Sequence, residues 1–570
     1  MEEIKEQLKQ SLIELGFGYE EKKIAMEHPV DKKFGDYSSN VAMTLAVVEK
    51  RNPRELALEI KNKLDELADK TNVIDKVEIA GPGFINFYLN KEYLRRKAEE
   101  INYEIEFDQK LRTYGRGKTM VIDYSAPNIA KPFGIGHLRS TNIGQAIYNI
   151  YKSLGYKSIG DNHIGDWGTQ FGKLITAVKR WAKKDIESLT IEDLEQLYVR
   201  FHREAEHDDS LVEDGREWFG KLERGDKEAR EIWNNFVEIS LKEYEKVYRL
   251  LDVKIDYTHG ESFYEEMLSN VIKEVEDKGL AKKSQGALII EFDDMPPAML
   301  KKSNGTTTYF TRDLATIKYR MKEWNPDLII YEVGADQSLH FRQLFKTANK
   351  MGWKPSEGFI HVAHGLIRWK GGKFSTRKGD TIHLTEVINK AMDKAREIAN
   401  VSATGKDLKK DEKEEIIEAV AVGAVKFNDL SSDPKKDVIF DWDKIMSLDG
   451  DSGPYLQYTY ARALSVLGKT KIREQNNIGK LPENINDEEE ELLREVYRFE
   501  EKIVEAAKRY SPAVLAEYLL TIARIYNEFY SKHRIIDQTE EVFRVFLTRT
   551  TANILERGLK LLGLKPIERM

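Results

Sequence analysis

The sequence predicts an α/β protein in which a parallel-sheet domain follows a small α+β domain and precedes an all-α helix bundle. Three observations indicate this fold class. In the middle of the chain, apolar runs typical of buried strands alternate with apolar residues at helical spacing. Near the N-terminus, helical patterns are followed by short strands around Gly81-Pro-Gly83. Beyond about residue 400, apolar residues recur at intervals of three and four, as in packed helices.

The composition narrows the class of protein. The 570 residues are 41% hydrophobic and 33% charged, and this length suggests roughly three to four domains. Cysteine is absent, which excludes a disulfide framework, a thiolate zinc site and a cysteine nucleophile. No apolar run approaches the length of a membrane span, and the N-terminus has no apolar signal core. The net charge of −7 argues against a protein that coats nucleic acid indiscriminately. We therefore expect a soluble, cytoplasmic protein without a membrane partner.

The first predicted domain covers residues 1–110. A helix that ends near Gly16 opens it, another begins at Pro53, and strands are predicted over residues 76–80 and 84–89. Between the two helices lies Phe34-Gly-Asp-Tyr37. An aromatic residue beside a flexible glycine can stack on unpaired bases. On composition alone, however, an ordinary loop is the better explanation.

The parallel-sheet domain is predicted over residues 111–400. The apolar run of residues 119–124 predicts a buried strand, and Phe133-Gly-Ile-Gly-His137 leads from it into a helix and a second strand. Such βαβ units bind ligands at the carboxyl ends of their strands. Gly134 and Gly136 would let a base or a phosphate approach the backbone, and His137 could add a charge-assisted bond to a phosphate. Alone, however, the short glycine pattern is better explained as a plain helix start.

Other polar segments also follow predicted strands. Residues 161–172 mix His, Asp, Trp and Gln with glycines, a composition typical of a pocket wall or of a structural turn. Residues 331–337 follow another buried strand, and the basic, glycine-rich residues 369–379 could contact phosphates or form a solvated hairpin. Residues 180–285 predict a charged helical insertion, for which we expect no chemical role.

A polar stretch near residue 401 predicts a linker, and residues 401–570 form the predicted helix bundle. Ser511-Pro512 predicts a helix start. The tyrosines and arginines of this region could pack inside the bundle or stack on bases. Tyr526 lies in an apolar stripe with Leu519 and Ile522. The residues concerned are Tyr455, Tyr458, Tyr460, Arg462, Tyr526, Tyr530, His533 and Arg534, and the candidates for tRNA contact among them are Tyr458, Arg462, Tyr526 and Tyr530.

Two motifs in this order carry a resemblance to a known family. Phe-Gly-Ile-Gly-His-Leu-Arg-Ser140 resembles the "HIGH" signature of class I aminoacyl-tRNA synthetases, and Lys373-Phe-Ser-Thr-Arg377 resembles their "KMSKS" signature. Further segments resemble the arginyl-tRNA synthetases in particular, so that the resemblance covers the whole chain. These segments are residues 34–37, 125–133, 165–172, 309–313, 455–462, 558–563 and 568–570.

The resemblance implies an arginine–tRNA ligase with three domains. Residues 1–110 would bind the tRNA elbow through Phe34 and Asp36, residues 111–400 would form a Rossmann-like catalytic domain, and residues 401–570 would bind the anticodon. The implied partners are tRNA, arginine and ATP, with Mg²⁺ accompanying ATP and no metal site of the protein itself. We expect a monomer.

The resemblance also implies roles for single residues. A guanidinium group is a planar fork of donors that a carboxylate holds best, and Asp313 matches that position, with Tyr309 one helical turn away. Asp123, Asn128 and Gln337 match residues that hold the amino and carboxylate groups of arginine. His137 and Lys373 would stabilise the phosphates as pyrophosphate leaves. The implied ATP-binding residues are Gly134, Gly136, His137, Lys373 and Ser375.

Two departures from the signatures leave alternatives open. Gly134 replaces the first histidine of "HIGH", and Thr376 replaces the second lysine of "KMSKS". Lys131 could supply the missing charge, and Lys378 is a rival. Three other functions remain to be weighed: a synthetase for another amino acid, a free-standing nucleotidyltransferase without need of the helix bundle, and a tRNA-binding protein that has lost catalysis.

Overall fold

The computed structural model describes residues 1–17, 24–370, 383–401, 409–472 and 476–570. The chain divides into two compact units. The first unit contains residues 1–109, 459–503 and 518–556, and the second contains residues 110–458, 504–517 and 557–570. Among the described residues, no helix is both long and apolar enough to span a membrane.

The described part of the chain is rich in helices, with strands concentrated in its first two thirds. The helices are α1 (Glu2–Glu14), α2 (Val41–Glu49), α3 (Pro53–Thr71), α4 (Lys91–Asn102), α5 (Glu104–Leu111), α6 (Ile135–Ser153), α7 (Thr169–Trp181), α8 (Ile191–Ala205), α9 (Ser210–Glu223), α10 (Lys227–Leu250), α11 (Leu268–Asp277), α12 (Tyr309–Trp324), α13 (Ser338–Met351), α14 (Leu384–Val401), α15 (Lys410–Leu430), α16 (Trp442–Ile445), α17 (Gly453–Lys469), α18 (Asp487–Val496), α19 (Phe499–Lys508), α20 (Ala513–Lys532) and α21 (Glu541–Leu561). The strands are β1 (Met26–Glu27), β2 (Tyr37–Ser39), β3 (Ile74–Ala80), β4 (Phe84–Leu89), β5 (Thr119–Asp123), β6 (Lys157–Asn162), β7 (Tyr257–Thr258), β8 (Ala281–Ser284), β9 (Ala287–Ile290), β10 (Ala298–Lys301), β11 (Leu328–Gly334), β12 (Gly358–His364), β13 (Ile367–Trp369) and β14 (Val438–Phe440).

The first unit joins the N-terminal region to part of the C-terminal helices. Its sheet is antiparallel, with the order β1-β2-β4-β3. Glu501 of α19 accepts hydrogen bonds from the Tyr37 hydroxyl at 2.6 Å and from the N-terminal ammonium group at 2.5 Å. These donors and His28 lower the pKa of Glu501 to about 2, although burial opposes the shift. A half-buried carboxylate with several donors therefore connects the two sequence regions of this unit.

The second unit is built on a five-stranded parallel sheet with the order β7-β6-β5-β11-β12. Met120 of β5 pairs with Leu328 of β11 on one side and with Ser158 of β6 on the other. Numbered along the chain, the five strands lie in the order 3-2-1-4-5, which is that of a doubly wound sheet. The strand order therefore reverses between β5 and β11. Ligands bind at such a reversal, outside the carboxyl ends of the strands.

Burial on both faces explains the apolar runs of the central strands. Val121, Ile159 and Ile329 belong to one apolar cluster that also contains Leu314 of α12 and Leu344 of α13. Parallel strands that are covered on both faces carry nearly continuous apolar residues, as the sequence of β5 and β11 shows. The α/β fold class predicted from these runs is confirmed.

The region between β6 and β7 contains the predicted helical insertion, but it also returns to the sheet. Helices α8, α9 and α10 occupy residues 191–250, after which β7 pairs with β6 in parallel register, Asp161 opposite Tyr257. An antiparallel sheet of the order β10-β9-β8 follows. Sequence patterns predicted neither of these features, because their strands have only two to four residues each.

Replacing Gly144 by alanine should destabilise the second unit. Gly144 lies inside α6, and a Cβ atom there would stand 2.3 Å from the Cβ atom of Tyr124. Such overpacking costs about 1–3 kcal/mol of unfolding free energy. Denaturant unfolding would measure the loss. Gly136→Ala is the matched control on the same helix, because nothing lies within 4 Å of a Cβ there. Equal stability of the two variants would contradict this packing argument.

Candidate active site

The candidate site lies at the reversal of strand order. Asp123 ends β5, Asn162 ends β6 and Gly334 ends β11. Because the strands are parallel, these ends meet at one edge of the sheet. Helix α6 follows β5, and α12 precedes β11, so the N-termini of both helices also lie at this edge. The sheet thereby brings together most of the residues that the sequence predicted for arginine and ATP.

The turn after β5 has an unusual backbone. Ser125, Ala126 and Ala130 have φ angles of 75°, 45° and 64°. Side chains without glycine's freedom rarely adopt this left-handed conformation, and such strain is common at functional sites. Three hydrogen bonds from backbone N–H groups to side-chain oxygens hold the turn. The Ser125 N–H donates to Ser140 Oγ, the Ala126 N–H to Asn162 Oδ1 and the Ala130 N–H to Ser240 Oγ, each at 2.9 Å.

His137, in the first turn of α6, is oriented by the glycine that precedes the helix. The Gly134 N–H donates to His137 Nδ1 at 3.3 Å, so in the neutral ring the proton resides on Nε2. Burial, and secondarily the charge of Lys131, lower the pKa of His137 to about 4. The ring is therefore neutral at pH 7 in the free protein. It offers a neutral Nε2–H donor, and a hydrogen bond from this donor to an anionic phosphate is charge-assisted through the acceptor.

Lys131 and the segment that begins at His383 lie beside the glycine turn. The exposed side chain of Lys131 lies close enough to His137 to influence its pKa. Gly134 pairs with His383, and the Leu384 N–H donates to the Phe133 carbonyl at 2.9 Å. Residues 383 and 384 therefore lie beside the first signature. Lys373, Ser375, Thr376 and Lys378, the residues of the second signature, lie outside the described residues.

Asp313, in the first turns of α12, is hydrogen-bonded to one histidine and lies near a second. His340 Nε2 donates to Asp313 Oδ2 at 2.6 Å, and His163 Nε2 lies 3.8 Å from Asp313 Oδ1. The Asp313 side chain is 23% exposed, and Tyr309 is 59% exposed. An oriented, partly exposed carboxylate beside a tyrosine can bind a planar cation.

The structure adds Glu261 to this pocket, a residue that the sequence analysis missed. Burial raises the pKa of Glu261 to about 8, Arg312 opposes the shift, and Asp313 and Asp166 add to it. Among the described residues, the Glu261 carboxyl has no hydrogen-bond partner. Two like-charged carboxyls in one partly buried pocket disfavour each other's ionisation, and a bound cation would relieve this. Glu261 lies within residues 180–285, the region for which the sequence predicted no chemical role.

The segment that carries Glu261 is anchored from the polar residues that follow β6. Asp166 accepts hydrogen bonds from the Ser262 N–H at 2.8 Å and from the Ser262 hydroxyl at 2.6 Å. A Cβ atom on Gly260 would stand 2.3 Å from Asp166 Oδ2, so the close approach requires glycine. Asp166 of the segment 161–172 thus fixes the position of residues 260–262.

The other predicted arginine-binding residues lie at the same edge with different exposures. Asp123 is 4% exposed, and Arg320 Nη2 donates to its Oδ2 at 2.8 Å. Asn128 and Gln337 are exposed. The Asn128 carbonyl accepts a hydrogen bond from the Tyr244 hydroxyl at 2.5 Å, which leaves the amide side chain outside this bond. Gln337 ends the short 3-10 helix after β11.

Two residues predicted to contact tRNA are buried, which corrects those assignments. Asp36 is 4% exposed, and its Oδ2 accepts hydrogen bonds from the Leu89 N–H and Arg494 Nη1, both at 2.7 Å. Tyr526 is 0% exposed, because it lies on the packed side of its helix. Both residues are structural here and present no surface to a nucleic acid.

The remaining candidates for tRNA contact keep accessible surface. Phe34 and Tyr530 are each 40% exposed. The Arg462 guanidinium lies 5.0 Å from the centre of the Tyr530 ring, and Arg462 also donates to Asn527 Oδ1. Tyr458 is half-buried. No group of three or more His, Asp or Glu side chains that could hold a metal ion occurs among the residues that the structure describes.

Family models match the chain in three consecutive parts. They are described as the arginyl tRNA synthetase N-terminal domain over residues 2–89, the catalytic domain of class I (R) tRNA synthetases over residues 103–442, and the DALR anticodon binding domain over residues 456–570. Together with the doubly wound sheet and its glycine turn, these matches define the chain as a class I aminoacyl-tRNA synthetase.

Whole-chain relatives specify the amino acid. The chain is 40% identical over 559 residues to an arginine–tRNA ligase of Clostridioides difficile, a match that covers 97% of this chain and 96% of the relative. A second arginine–tRNA ligase, from Halothermothrix orenii, is 40% identical over 555 residues, covering 96% and 95% of the two chains. The chain belongs to the arginyl-tRNA synthetase family.

Solved structures agree with this fold. The arginyl-tRNA synthetase of Plasmodium falciparum matches with a TM-score of 0.85 and that of Thermus thermophilus with a TM-score of 0.81, each at 24% identity. The two matches cover 100% of this chain and 99% and 100% of the respective relatives. At 24% identity, these two structures are evidence for the fold alone. The predicted family and activity are confirmed by the curated relatives: the chain is an enzyme that ligates arginine to tRNA, and its class uses ATP.

Proposed function

We propose that the pocket at the reversal of strand order binds arginine in a fixed orientation. Asp313 and Glu261 bind the guanidinium group, with Tyr309 beside them, and Asp123, Asn128 and Gln337 bind the amino and carboxylate groups. The observation that carries this proposal is the position of Asp313 between His340 and His163, which orients a partly exposed carboxylate toward the site. A guanidinium group can donate to both carboxylates at once.

The proposed reaction needs no protein nucleophile. The arginine carboxylate attacks the α-phosphate of ATP, a carboxylate–phosphorus bond forms, and the bond to the β-phosphate breaks as pyrophosphate leaves. A ribose hydroxyl at the tRNA 3′ end then attacks the arginyl carbonyl, an ester bond forms, the bond between the carbonyl carbon and the AMP phosphate oxygen breaks, and AMP leaves together with the hydroxyl proton. Catalysis is positioning and charge neutralisation. The His137 Nε2–H, Lys131 and the backbone at Gly134 and Gly136 support the phosphates.

Several finer assignments belong to the same proposal. Lys373 and Ser375 keep the ATP-binding role that the sequence resemblance implies, and Lys131 or Lys378 supplies the charge missing at Thr376. Mg²⁺ would enter with ATP, since phosphate oxygens are its usual ligands. Residues 1–110 bind the tRNA elbow through Phe34, and residues 401–570 bind the anticodon with Tyr458, Arg462 and Tyr530. We expect the chain to act as a monomer in the cytoplasm.

ATP–pyrophosphate exchange with each amino acid, with and without tRNA, tests the proposal. Exchange should require arginine. Exchange with lysine or glutamate but not with arginine would overturn the proposed pocket. Deletion of residues 400–570 should abolish charging of tRNA, whereas a free-standing nucleotidyltransferase would keep its activity without them.

Gly136→Ala should weaken ATP binding without unfolding the protein. The space around a Cβ atom at this position is empty in the structure, and it is where the proposal places ATP. A methyl group there should raise KM for ATP by about tenfold, the scale of an overpacked contact. Initial rates at varied ATP concentration measure this, with KM for arginine as the internal control. An unchanged KM for ATP would exclude close approach of ATP to this turn.

A further inference from the structure

We propose that Arg320 is a positioning residue for the α-amino group of the substrate. It acts through Asp123, so the inference rests on the assignment of Asp123 to that group under the proposed function. Arg320 lies on α12, seven residues after Asp313, and is 0% exposed. Its Nη2 donates to Asp123 Oδ2 at 2.8 Å. No described residue bonds to Asp123 Oδ1, which leaves that oxygen for an ammonium group.

A chain of hydrogen bonds fixes the Arg320 guanidinium from the opposite side. Arg320 Nε donates to Asp161 Oδ2 at 2.8 Å, and Asp161 Oδ1 accepts a hydrogen bond from His259 Nδ1, also at 2.8 Å. Asp161 is 0% exposed. Hydrogen bonds thus join four side chains in this order: His259, Asp161, Arg320 and Asp123. Such a chain restrains the rotation of the Asp123 carboxylate, which a single contact would not do.

Aromatic rings immobilise the far end of this chain. Four ring centres lie within 4.4–6.1 Å of the centre of the His259 imidazole, and the Tyr257 ring is stacked on it at an angle of 12°. The four residues are Tyr257, Phe263, Tyr319 and Trp324. The His259 carbonyl also accepts a hydrogen bond from His163 Nδ1 at 3.1 Å, and His163 Nε2 faces Asp313. His259 is therefore linked by hydrogen bonds to Asp123 and, through His163, lies near Asp313 as well.

Among Asp123, Asp161 and Arg320, the buried carboxylates outnumber the buried guanidinium group, and His259 donates a hydrogen bond to Asp161. Asp123 and Asp161 provide two buried carboxylates, and Arg320 provides one buried positive charge. Burial raises the pKa of Asp123, whereas Arg320 and His163 oppose that shift. An uncompensated buried charge is costly, and an ammonium group at Asp123 would supply a further positive charge. This favours a ligand that carries an α-amino group.

Helix α12 also sets the distance between the two ends of the substrate. Asp313 and Arg320 are two helical turns apart and therefore lie on the same side of the helix. Seven residues of α-helix span about 10 Å along the axis. A single rigid element thus carries both the carboxylate proposed for the guanidinium group and the arginine that orients the carboxylate proposed for the amino group.

The test compares two ligands that differ only in the α-amino group. Dissociation constants of L-arginine and of 5-guanidinopentanoic acid, which lacks that group, are measured on the full chain with tRNA. We expect the wild-type chain to prefer arginine by about 10- to 100-fold, the scale of a charged hydrogen bond. Arg320→Met should reduce the preference to within about threefold, and Arg320→Lys should keep an intermediate preference. A purely structural role would weaken both ligands equally and would overturn the inference.

Further variants separate the possible outcomes. Asp161→Asn weakens the hold on Arg320 without leaving a cavity, and it serves as the test if Arg320→Met does not fold. Arg139→Met is the matched control, because Arg139 is 1% exposed and pairs with Asp429 at 2.7 Å. It should lower the melting temperature and leave the preference unchanged. If Asp123→Asn leaves the preference intact, the proposed role of Asp123 fails. If Asp123→Asn removes the preference but the Arg320 variants keep it, only the present inference fails.

Discussion

Replacing Asp313 by asparagine should lower kcat/KM for arginine by about 1,000-fold, the scale for breaking one partner of a buried, hydrogen-bonded charge pair. The substitution keeps the shape of the side chain and removes its charge. The His340 N–H would turn the amide so that its oxygen still accepts the 2.6 Å bond. The amide NH₂ group, a donor, would then face the donors of the guanidinium group. Aminoacylation rates at varied arginine concentration measure the effect.

A control at the opposite end of the same sheet separates specificity from stability. Asp327 precedes β11, and it accepts hydrogen bonds from the Thr119 N–H and the Ser356 hydroxyl, both at 2.8 Å. Asp327→Asn should change stability modestly and leave kcat/KM for arginine within about threefold of the wild type. If Asp313→Asn behaved like this control, Asp313 would not be the guanidinium ligand.

Glu261→Gln should remove a pH dependence of arginine binding. The pKa of Glu261 is raised to about 8 in the free protein, mainly by burial, so the carboxyl is largely protonated at pH 7. If the ionised form binds the guanidinium cation, the dissociation constant for arginine should fall up to about tenfold per pH unit as the pH rises toward 8. The dissociation constant of the Gln variant for arginine should not change with pH over this range. The difference from the wild type should therefore be largest above pH 8.

The matched control for this prediction is Glu266→Gln. Glu266 is an exposed carboxyl on the same short helix, Glu261–Met267, and its loss should leave the pH dependence intact. Calorimetric titration in buffers of different ionisation enthalpy would also count the proton released on binding. Arginine affinity of the wild type that does not vary between pH 6 and pH 9 would exclude ionised Glu261 from the pocket.

The same raised pKa affects stability with a definite sign. Because the folded-state pKa of Glu261 lies above its ordinary value of 4.5, the folded chain holds more protons than the unfolded chain between pH 4.5 and about 8. The contribution of Glu261 to the free energy of unfolding therefore falls as the pH rises through this window and levels off above it. Bound arginine should offset the loss, which melting temperatures with and without arginine would reveal.

Much of the architecture could be predicted from short-range patterns. The strand predicted over residues 84–89 has the bounds of β4, and the apolar run from residue 119 contains β5. The glycine turn before His137 begins α6, as expected. The burial of Tyr526 is also a local feature, because its place in an apolar stripe of the helix indicates a packed side chain.

Long-range contacts account for the errors and omissions. The family resemblance implies a tRNA contact for Asp36, but local sequence cannot show its burial, because its ion-pair partner Arg494 is 458 residues away. Glu261 was missed because no local spacing relates it to Asp313, and β7, which brings it to the sheet edge, has two residues. Arg320 was missed because a single arginine in an amphipathic helix resembles a surface residue.

The sequence by itself determined the family, the order of elements and the glycine turn, because periodicity, turn chemistry and signature motifs involve residues that are neighbours along the chain. The tertiary structure alone decided which charges are buried and which carboxylates meet. Arg320 and Asp123 are 197 residues apart in sequence and 2.8 Å apart in space. The energy of a charged side chain depends more on whether it is buried than on which residue carries it. Burial in turn arises only when segments that are distant in sequence pack together.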